Sequence, residues 1–246
     1  MVRIVLNNGI DIPQLGFGVF QITDQQLCKE SVKTALKAGY RMIDTSACYG
    51  NERAVGEEVK ESGISRNEIF ISSKVWIQDA GYDATKKSFE KTLENLGTDY
   101  LDLYLIHMPY GDYHGSWRAM EELYRGGKIK AIGVCNFLPD RLVDLILSHE
   151  IIPAVNQIEL HLFCQQRELR SVMKKYDIQA MAWAPFAEGQ NHIFENKTLQ
   201  TIGKKYAKSS AQDIETIEQM DTGESLILDV PSLEEVYRLH NIRFEQ

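Results

Sequence analysis

Short continuous apolar runs alternate with amphipathic stretches along most of this chain, and the pair recurs roughly every 25–30 residues. Two brief runs come first: Val2 to Leu6 and Ile12 to Gln14 flank Asn7-Asn8-Gly9, a hairpin turn signal. Leu15 to Gly18 reads as a short buried strand. Thr23 or Asp24 then caps a helix running to about Ala38, with Gly39 as its stop. Strand signals follow at Met42-Ile43, 69–74, 100–106, Ile129 to Val134, Ala154 to Ile158 and Gln179 to Ala184. Each is followed by a helix signal, at 53–61, 84–96, 116–125, 139–148, 166–176 and 196–206. Runs that are apolar throughout, rather than alternating, indicate parallel strands buried on both faces.

Two architectures fit that rhythm. A doubly wound open sheet should carry a G-x-G-x-x-G turn after one strand, and none is present. A (β/α)₈ TIM barrel places its chemistry at the carboxyl ends of several strands, and this chain does so. The barrel is therefore the expected fold, one domain over 1–246 with an N-terminal β-hairpin. Its eighth strand and the helix after it are not found. Residues 210–220 read as one amphipathic helix with apolar positions at 211, 214, 217 and 220. The tail from Ser232 reads as a short helix with a capping box at Ser232 and Glu235.

Composition narrows the class without naming a function. Hydrophobic residues make up 43% and charged residues 25%, as in an ordinary water-soluble domain. The net charge of −8 argues against nucleic acid or an anionic membrane as partner. No apolar run approaches the ~18 residues of a membrane span. Cysteines 28, 48, 135 and 164 are scattered without a CxxC pair, which reads as reduced thiols in a cytoplasmic protein.

The chemistry gathers on Asp44-Thr-Ser-Ala-Cys-Tyr-Gly-Asn-Glu52, a strand-to-helix corner with a carboxylate and a phenol. The next two strands end on Lys74 and His107. A phenol with a pKa near 10 is a poor acid at neutral pH, and an adjacent ammonium lowers that pKa. Asp44 can hold the lysine, and His107 can orient a substrate oxygen. Such a set suits protonation of a developing alkoxide. Taken singly, a strand-ending lysine is usually solvated and a histidine after an apolar strand is often a satisfied core residue. Their common position at one barrel rim is what favours catalysis. No metal-ligand spacing or Ser-His-Asp arrangement competes.

Leu15-Gly-Phe-Gly18, Asp44-Thr…Tyr-Gly-Asn-Glu52, Ser73-Lys-Val-Trp76, Leu105-Ile-His107-Met-Pro109, the run from Gly127 to Phe137, Asn156-Gln157 and Trp183-Ala-Pro185 succeed one another along the chain. In these motifs and their order, over nearly its whole length, the chain resembles the aldo-keto reductases, in particular bacterial members of the 2,5-diketo-D-gluconate reductase and glyoxal reductase type. The resemblance implies a monomeric enzyme that reduces small aldehydes and ketones, such as glyoxals or sugar-derived carbonyls, with NADPH and without metal. It makes Tyr49 the proton donor, tuned by Lys74 and Asp44, with His107 orienting the carbonyl. Asn136, Gln157, Trp183, Gly18 and Asp44 match cofactor-side positions. Cys135 stands where the motif usually has serine. Phe20, Trp76, His107 and Pro109 match the substrate pocket, and Gly111 to His114 and Ala187 to Phe194 would supply variable pocket loops.

One departure bears on function. The family's last strand leads into an Ile-Pro-Lys-Ser-like stretch with a following Arg and Glu-Asn pair that hold the 2′-phosphate and adenine. No such residues lie between Gln212 and Asp213, and family register resumes at Asp221-Thr-Gly-Glu-Ser225. Either the sequence omits about one βα unit, ~30 residues, or the protein lacks it. Loss of a barrel strand exposes two strand edges and core, which favours omission. A true loss would fit a non-catalytic nucleotide-sensing or regulatory protein on the same barrel.

Overall fold

The computed structural model describes residues 2–206. The expected helix at 210–220, the Ser232 tail helix and the Gln212–Asp213 junction lie outside the described residues.

The chain opens with β1 (Arg3–Val5) and β2 (Asp11–Pro13), antiparallel with Ile4 opposite Ile12. The side chains of Asn7 and Asn8 in its turn donate to Pro153 O (3.1 Å) and Lys130 O (2.9 Å). These bonds fix the hairpin across the amino-terminal ends of the later strands. Leu6 and Ile12 are buried there against Met42, Phe70, Leu103, Leu105, Ala131 and Val155. The hairpin therefore plugs the bottom of the sheet's concave interior.

Seven parallel strands follow: β3 (Phe17–Gly18), β4 (Met42–Asp44), β5 (Phe70–Val75), β6 (Leu101–Ile106), β7 (Ile129–Cys135), β8 (Val155–Glu159) and β9 (Gln179–Trp183). They lie side by side in chain order. The helices are α1 (Gln25–Lys37), α2 (Glu52–Glu61), α3 (Tyr82–Leu96), α4 (Tyr113–Arg125), α5 (Pro139–Ser148), α6 (Arg167–Lys175) and α7 (Lys197–Tyr206). Every strand–helix alternation expected from the apolar rhythm is present. Among the described residues β3 and β9 are not paired to each other and no eighth strand joins them.

Side chains alternate across the sheet because the strand period is two. Ile43, Ile71, Tyr104, Ile106, Ile132, Val134 and Ile158 face outward and pack on helix residues such as Val55, Phe89, Trp117, Leu142 and Met173. Met42, Phe70, Leu103, Leu105, Ala131 and Val155 face inward. Continuing upward on the inner face, the alternation brings Asp44, Lys74, Cys135, Gln157 and Trp183 to the carboxyl rim. The helix layer is tight at one point: a Cβ on Gly56 of α2 would stand 2.4 Å from Leu96 O at the end of α3.

Helix starts differ most from expectation. α4 begins at Tyr113, not 116, because the Asp112 side chain accepts from Gly115 N (2.7 Å) as an N-cap. Tyr113 and His114 are thereby drawn into the first helical turn instead of a pocket loop. His114 is committed to the α4–α5 groove, bonded to His149 (2.9 Å) and Asp144 (3.0 Å). The segment Ala187–Glu195 is a kinked 3₁₀ stretch that buries Ala187 and Ile193 against Phe163 and Leu199. Phe186 and Phe194 are left exposed. Among the described residues, no helix is long and apolar enough to cross a membrane.

Candidate active site

The corner after β4 has more structure than its sequence suggests. Ala47–Tyr49 form one 3₁₀ turn, ended by Gly50 at φ +69°, a conformation glycine adopts without a Cβ penalty. Asn51 is fully buried and anchors the turn. Its amide donates to Val19 O (2.8 Å) and Ile22 O (3.0 Å) and accepts from Thr45 Oγ1 (2.8 Å). Glu52 then accepts from Ser73 Oγ (2.6 Å) and Asn95 Nδ2 (3.2 Å), tying the corner to β5 and α3. Tyr49 is thus aimed by a rigid, hydrogen-bonded loop.

Lys74 is 0% exposed. Its ammonium donates to Asp44 Oδ2 (2.8 Å) and Thr45 O (2.8 Å), and Asp44 Oδ1 also accepts a short bond from Ser72 Oγ. Strand register enforces the meeting: Asp44 pairs with Ser72, and Lys74 lies two residues further on the same face. Burial pulls the lysine's pKa down, but the charge of Asp44, joined by that of Tyr49 once the phenol ionises at alkaline pH, outweighs it and holds the group above its ordinary range. It remains a cation, 5.0 Å from the centre of the Tyr49 ring.

The Tyr49 phenol is pushed up, first by burial, with Lys74 opposing. Lys74 therefore acts in the expected direction but does not prevail, because desolvation is the larger effect. The phenol carries its proton at neutral pH. Its hydroxyl makes no hydrogen bond among the described residues, which leaves it open to a ligand. His107 sits beside it, ring centres 5.7 Å apart and edge-on, with Trp76 also packed edge-on against the imidazole at 4.8 Å. Burial, then the Lys74 charge, lowers the imidazole well below 6.5, so it is neutral at pH 7. Its Nδ1 lies 3.0 Å from Ser46 Oγ and 3.5 Å from Cys48 Sγ.

The residues matched to the nicotinamide side lie next to this group. Asn136 leaves β7 at φ +62°, a left-handed conformation asparagine tolerates. Its amide donates to His107 O (3.1 Å), and its Oδ1 accepts from Trp183 Nε1 (2.9 Å). The Cys135 thiol donates to Gln157 Oε1 at 3.6 Å, so the sulfur retains a polar partner where a serine hydroxyl is usual. Gly18 ends β3 directly beside Asp44, and an added Cβ there would meet no atom within 4 Å.

The apolar wall is Cys48, Trp76, Ile77 and Met108, with Tyr49 and Tyr110 packed against it. Phe20 lies 5.0 Å from Tyr49 yet is 56% exposed, at the mouth of the site. Pro109 is buried in the turn after β6, next in sequence to Met108 of the wall. Sequence reasoning missed Ser46, Cys48, Ile77, Met108 and Tyr110. The first two stand inside the Asp44–Glu52 corner, and their proximity to His107 was the missing signal.

A buried ammonium–carboxylate pair, a protonated phenol and a neutral imidazole thus stand together at the carboxyl rim of the sheet. A family model, described as the Aldo/keto reductase family, matches residues 14–246. The chain belongs to this family. It is 50% identical over 210 residues to the glyoxal reductase of Bacillus subtilis (strain 168), covering 85% of this chain and 75% of that protein. The crystal structure of an aldo-keto reductase from a Medee basin deep-sea metagenome library is similar at TM-score 0.87 and 34% identity, over 94% of this chain and 99% of that one. That of an aldo-keto reductase of Bombyx mori in complex with NADP is similar at TM-score 0.80 and 28% identity, over 100% of this chain and 95% of that one. Those structures carry the same (β/α)₈ design, of which the described residues supply seven strands.

Proposed function

We propose that this aldo-keto reductase reduces small aldehydes and ketones, glyoxals among them, to alcohols with NADPH. The observation that carries the reading is the convergence of Asp44, Lys74, Tyr49 and His107, with Tyr49 packed against the apolar wall. The glyoxal reductase relative and the NADP complex of a structural neighbour support the substrate class and the cofactor.

Asn136, Gln157 and Trp183 form a polar and aromatic edge beside His107 that fits a nicotinamide carboxamide and ring. Gly18 leaves room for a ligand beside Asp44. When bound, NADPH supplies the hydride that reaches the carbonyl carbon. The protein's part is the oxygen. His107 donates a hydrogen bond that orients the carbonyl, and Tyr49 gives its proton as negative charge develops. The fixed charge of Lys74 stabilises the phenolate left behind, and Asp44 keeps that charge in place. Cys48, Trp76, Ile77 and Met108 keep water from the reacting atoms and accept a small apolar substituent.

Tyr49→Phe tests the reading. It removes the proton donor and should lower turnover by roughly 10²–10⁴-fold without altering the fold; retained activity sinks the mechanism. The absence of an Ile-Pro-Lys-Ser-like phosphate stretch between Gln212 and Asp213 favours one other reading, a nucleotide-sensing protein without turnover. Measuring NADPH binding separately from carbonyl reduction decides between the two. Binding without turnover of any aldehyde selects the second.

A further inference from the structure

Trp76 and Tyr49 both pack edge-on against the His107 ring, so its plane cannot turn freely. Steric grip alone does not decide which ring nitrogen carries the proton. That choice matters, since a neutral imidazole can donate a hydrogen bond through one nitrogen only. Only a proton on Nε2 lets the open side of the ring donate to a carbonyl oxygen. A proton on Nδ1 would leave a lone pair on Nε2 facing that oxygen. The choice is made by what faces Nδ1.

Two side chains face it, both inside the corner after β4. Ser46 is 0% exposed and extended (φ −160°, ψ 150°), with Oγ 3.0 Å from Nδ1. Cys48 is also buried, with Sγ 3.5 Å from Nδ1 and 3.3 Å from Ser46 Oγ. Burial pushes the Cys48 thiol up to about 11, so at neutral pH it still carries a proton to donate. Two hydrogen-bond patterns are available. In one, the Cys48 thiol donates to Ser46 Oγ and the Ser46 hydroxyl donates to an unprotonated Nδ1 at 3.0 Å. In the other, Nδ1–H donates to Ser46 Oγ across the same 3.0 Å, and the serine sends its own proton to Cys48 Sγ at 3.3 Å or to Lys74 O at 3.4 Å. The first pattern places the hydroxyl proton on the imidazole nitrogen at 3.0 Å and gives the thiol an oxygen acceptor. The second leaves the hydroxyl proton on a sulfur, a weak acceptor, or on a contact at the limit of a hydrogen bond.

We infer that Ser46 is a positioning residue that fixes His107 as the Nε2–H tautomer, with Cys48 supporting it, so that the imidazole presents a donor to the substrate carbonyl. The inference rests on the proposed reading that a carbonyl oxygen binds between Tyr49 and His107. The tautomer itself can be observed without any substrate, so the two can fail separately.

The experiment is a two-bond ¹H–¹⁵N correlation spectrum of histidine-labelled full-length protein at neutral pH. The His107 signals are assigned by their loss in His107→Gln. The unsubstituted protein should show a protonated Nε2 and a bare Nδ1; a protonated Nδ1 overturns the proposal with no variant needed. Ser46→Ala combined with Cys48→Ala should move His107 toward the other tautomer. It should also lower kcat/KM for aldehyde reduction roughly 10- to 100-fold, the effect of one mispaired buried hydrogen bond, with NADPH affinity unchanged. Ser46→Cys keeps a donor of similar size and should restore most of the Nε2–H signal and of the activity. An unchanged tautomer in the double variant overturns the role of Ser46. A changed tautomer with unchanged kcat/KM overturns its catalytic consequence. Loss of turnover in Tyr49→Phe tests the reaction assignment alone and has no bearing on the tautomer read from the spectrum.

Discussion

Replacing Lys74 by methionine tests the electrostatic centre of the mechanism. The side chain is fully buried, and methionine is close to it in length. Two separable losses should result. The first is chemical. A full charge at the 5.0 Å between the Lys74 ammonium and the Tyr49 ring centre stabilises a phenolate by about 3 kcal/mol at an effective dielectric near 20. Removing it should slow the proton-transfer step roughly 10²-fold or more. The second is structural. Asp44 would keep Ser72 Oγ but lose its only salt-bridge partner among the described residues. Breaking a buried pair in this way costs about 3–5 kcal/mol. The double variant Lys74→Met/Asp44→Asn removes the orphaned charge along with the ammonium. It should recover much of the melting temperature while leaving kcat low. The assay is single-turnover reduction of methylglyoxal by NADPH, run well below the melting transition of each variant. A kcat for Lys74→Met within threefold of the parent refutes the reasoning. So would a double variant that regains activity along with stability.

Further outcomes follow from the same structure. Gly56→Ala drives a Cβ to 2.4 Å from Leu96 O, a backbone atom that cannot swing aside; a cost of about 1–3 kcal/mol should appear as a lower Tm with kcat/KM nearly unchanged, and an unchanged Tm would refute the close packing of α2 on α3. His107 is held below its unfolded pKa, so its contribution to stability is present above about pH 6.5 and is lost as pH falls toward its folded value. Melting between pH 7.5 and 5 should therefore steepen less with pH in His107→Asn than in the parent. Lys74 has the opposite sign: its pKa is raised, so its contribution is complete below about 10.5 and fades only at more alkaline pH. The intact mass of the purified protein bears on the gap after Gln212. A value about 3 kDa above 28.1 kDa is expected if one βα unit is missing from the sequence; 28.1 kDa itself would establish a barrel that has lost it.

Much of this architecture was legible because two periodicities are written directly in the chain. Apolar runs placed β4 to β9 within a residue or two of their observed bounds, and helix stripes placed α5 without error. Strand ends are readable for the same reason, since a polar residue closing an apolar run has to stand at the rim. Asp44, Lys74 and His107 were found that way. Local caps were less legible. Asp112 begins α4 three residues before the apolar stripe does, because a cap is a hydrogen bond and leaves little periodic trace.

The amino-acid order by itself determined the sequence of strands and helices, the inner and outer faces of each strand, and the set of groups available at the rim. Tertiary structure alone decided how those groups act. The balance between burial and the Lys74 charge on Tyr49 depends on packing depth, which no spacing encodes. The contact of Ser46 with His107 spans 61 residues, and that of Trp183 with Asn136 spans 47. Such contacts exist because neighbouring strand ends meet at one rim. Period and propensity act within a few residues, whereas these bonds are set by the register and curvature of the whole sheet.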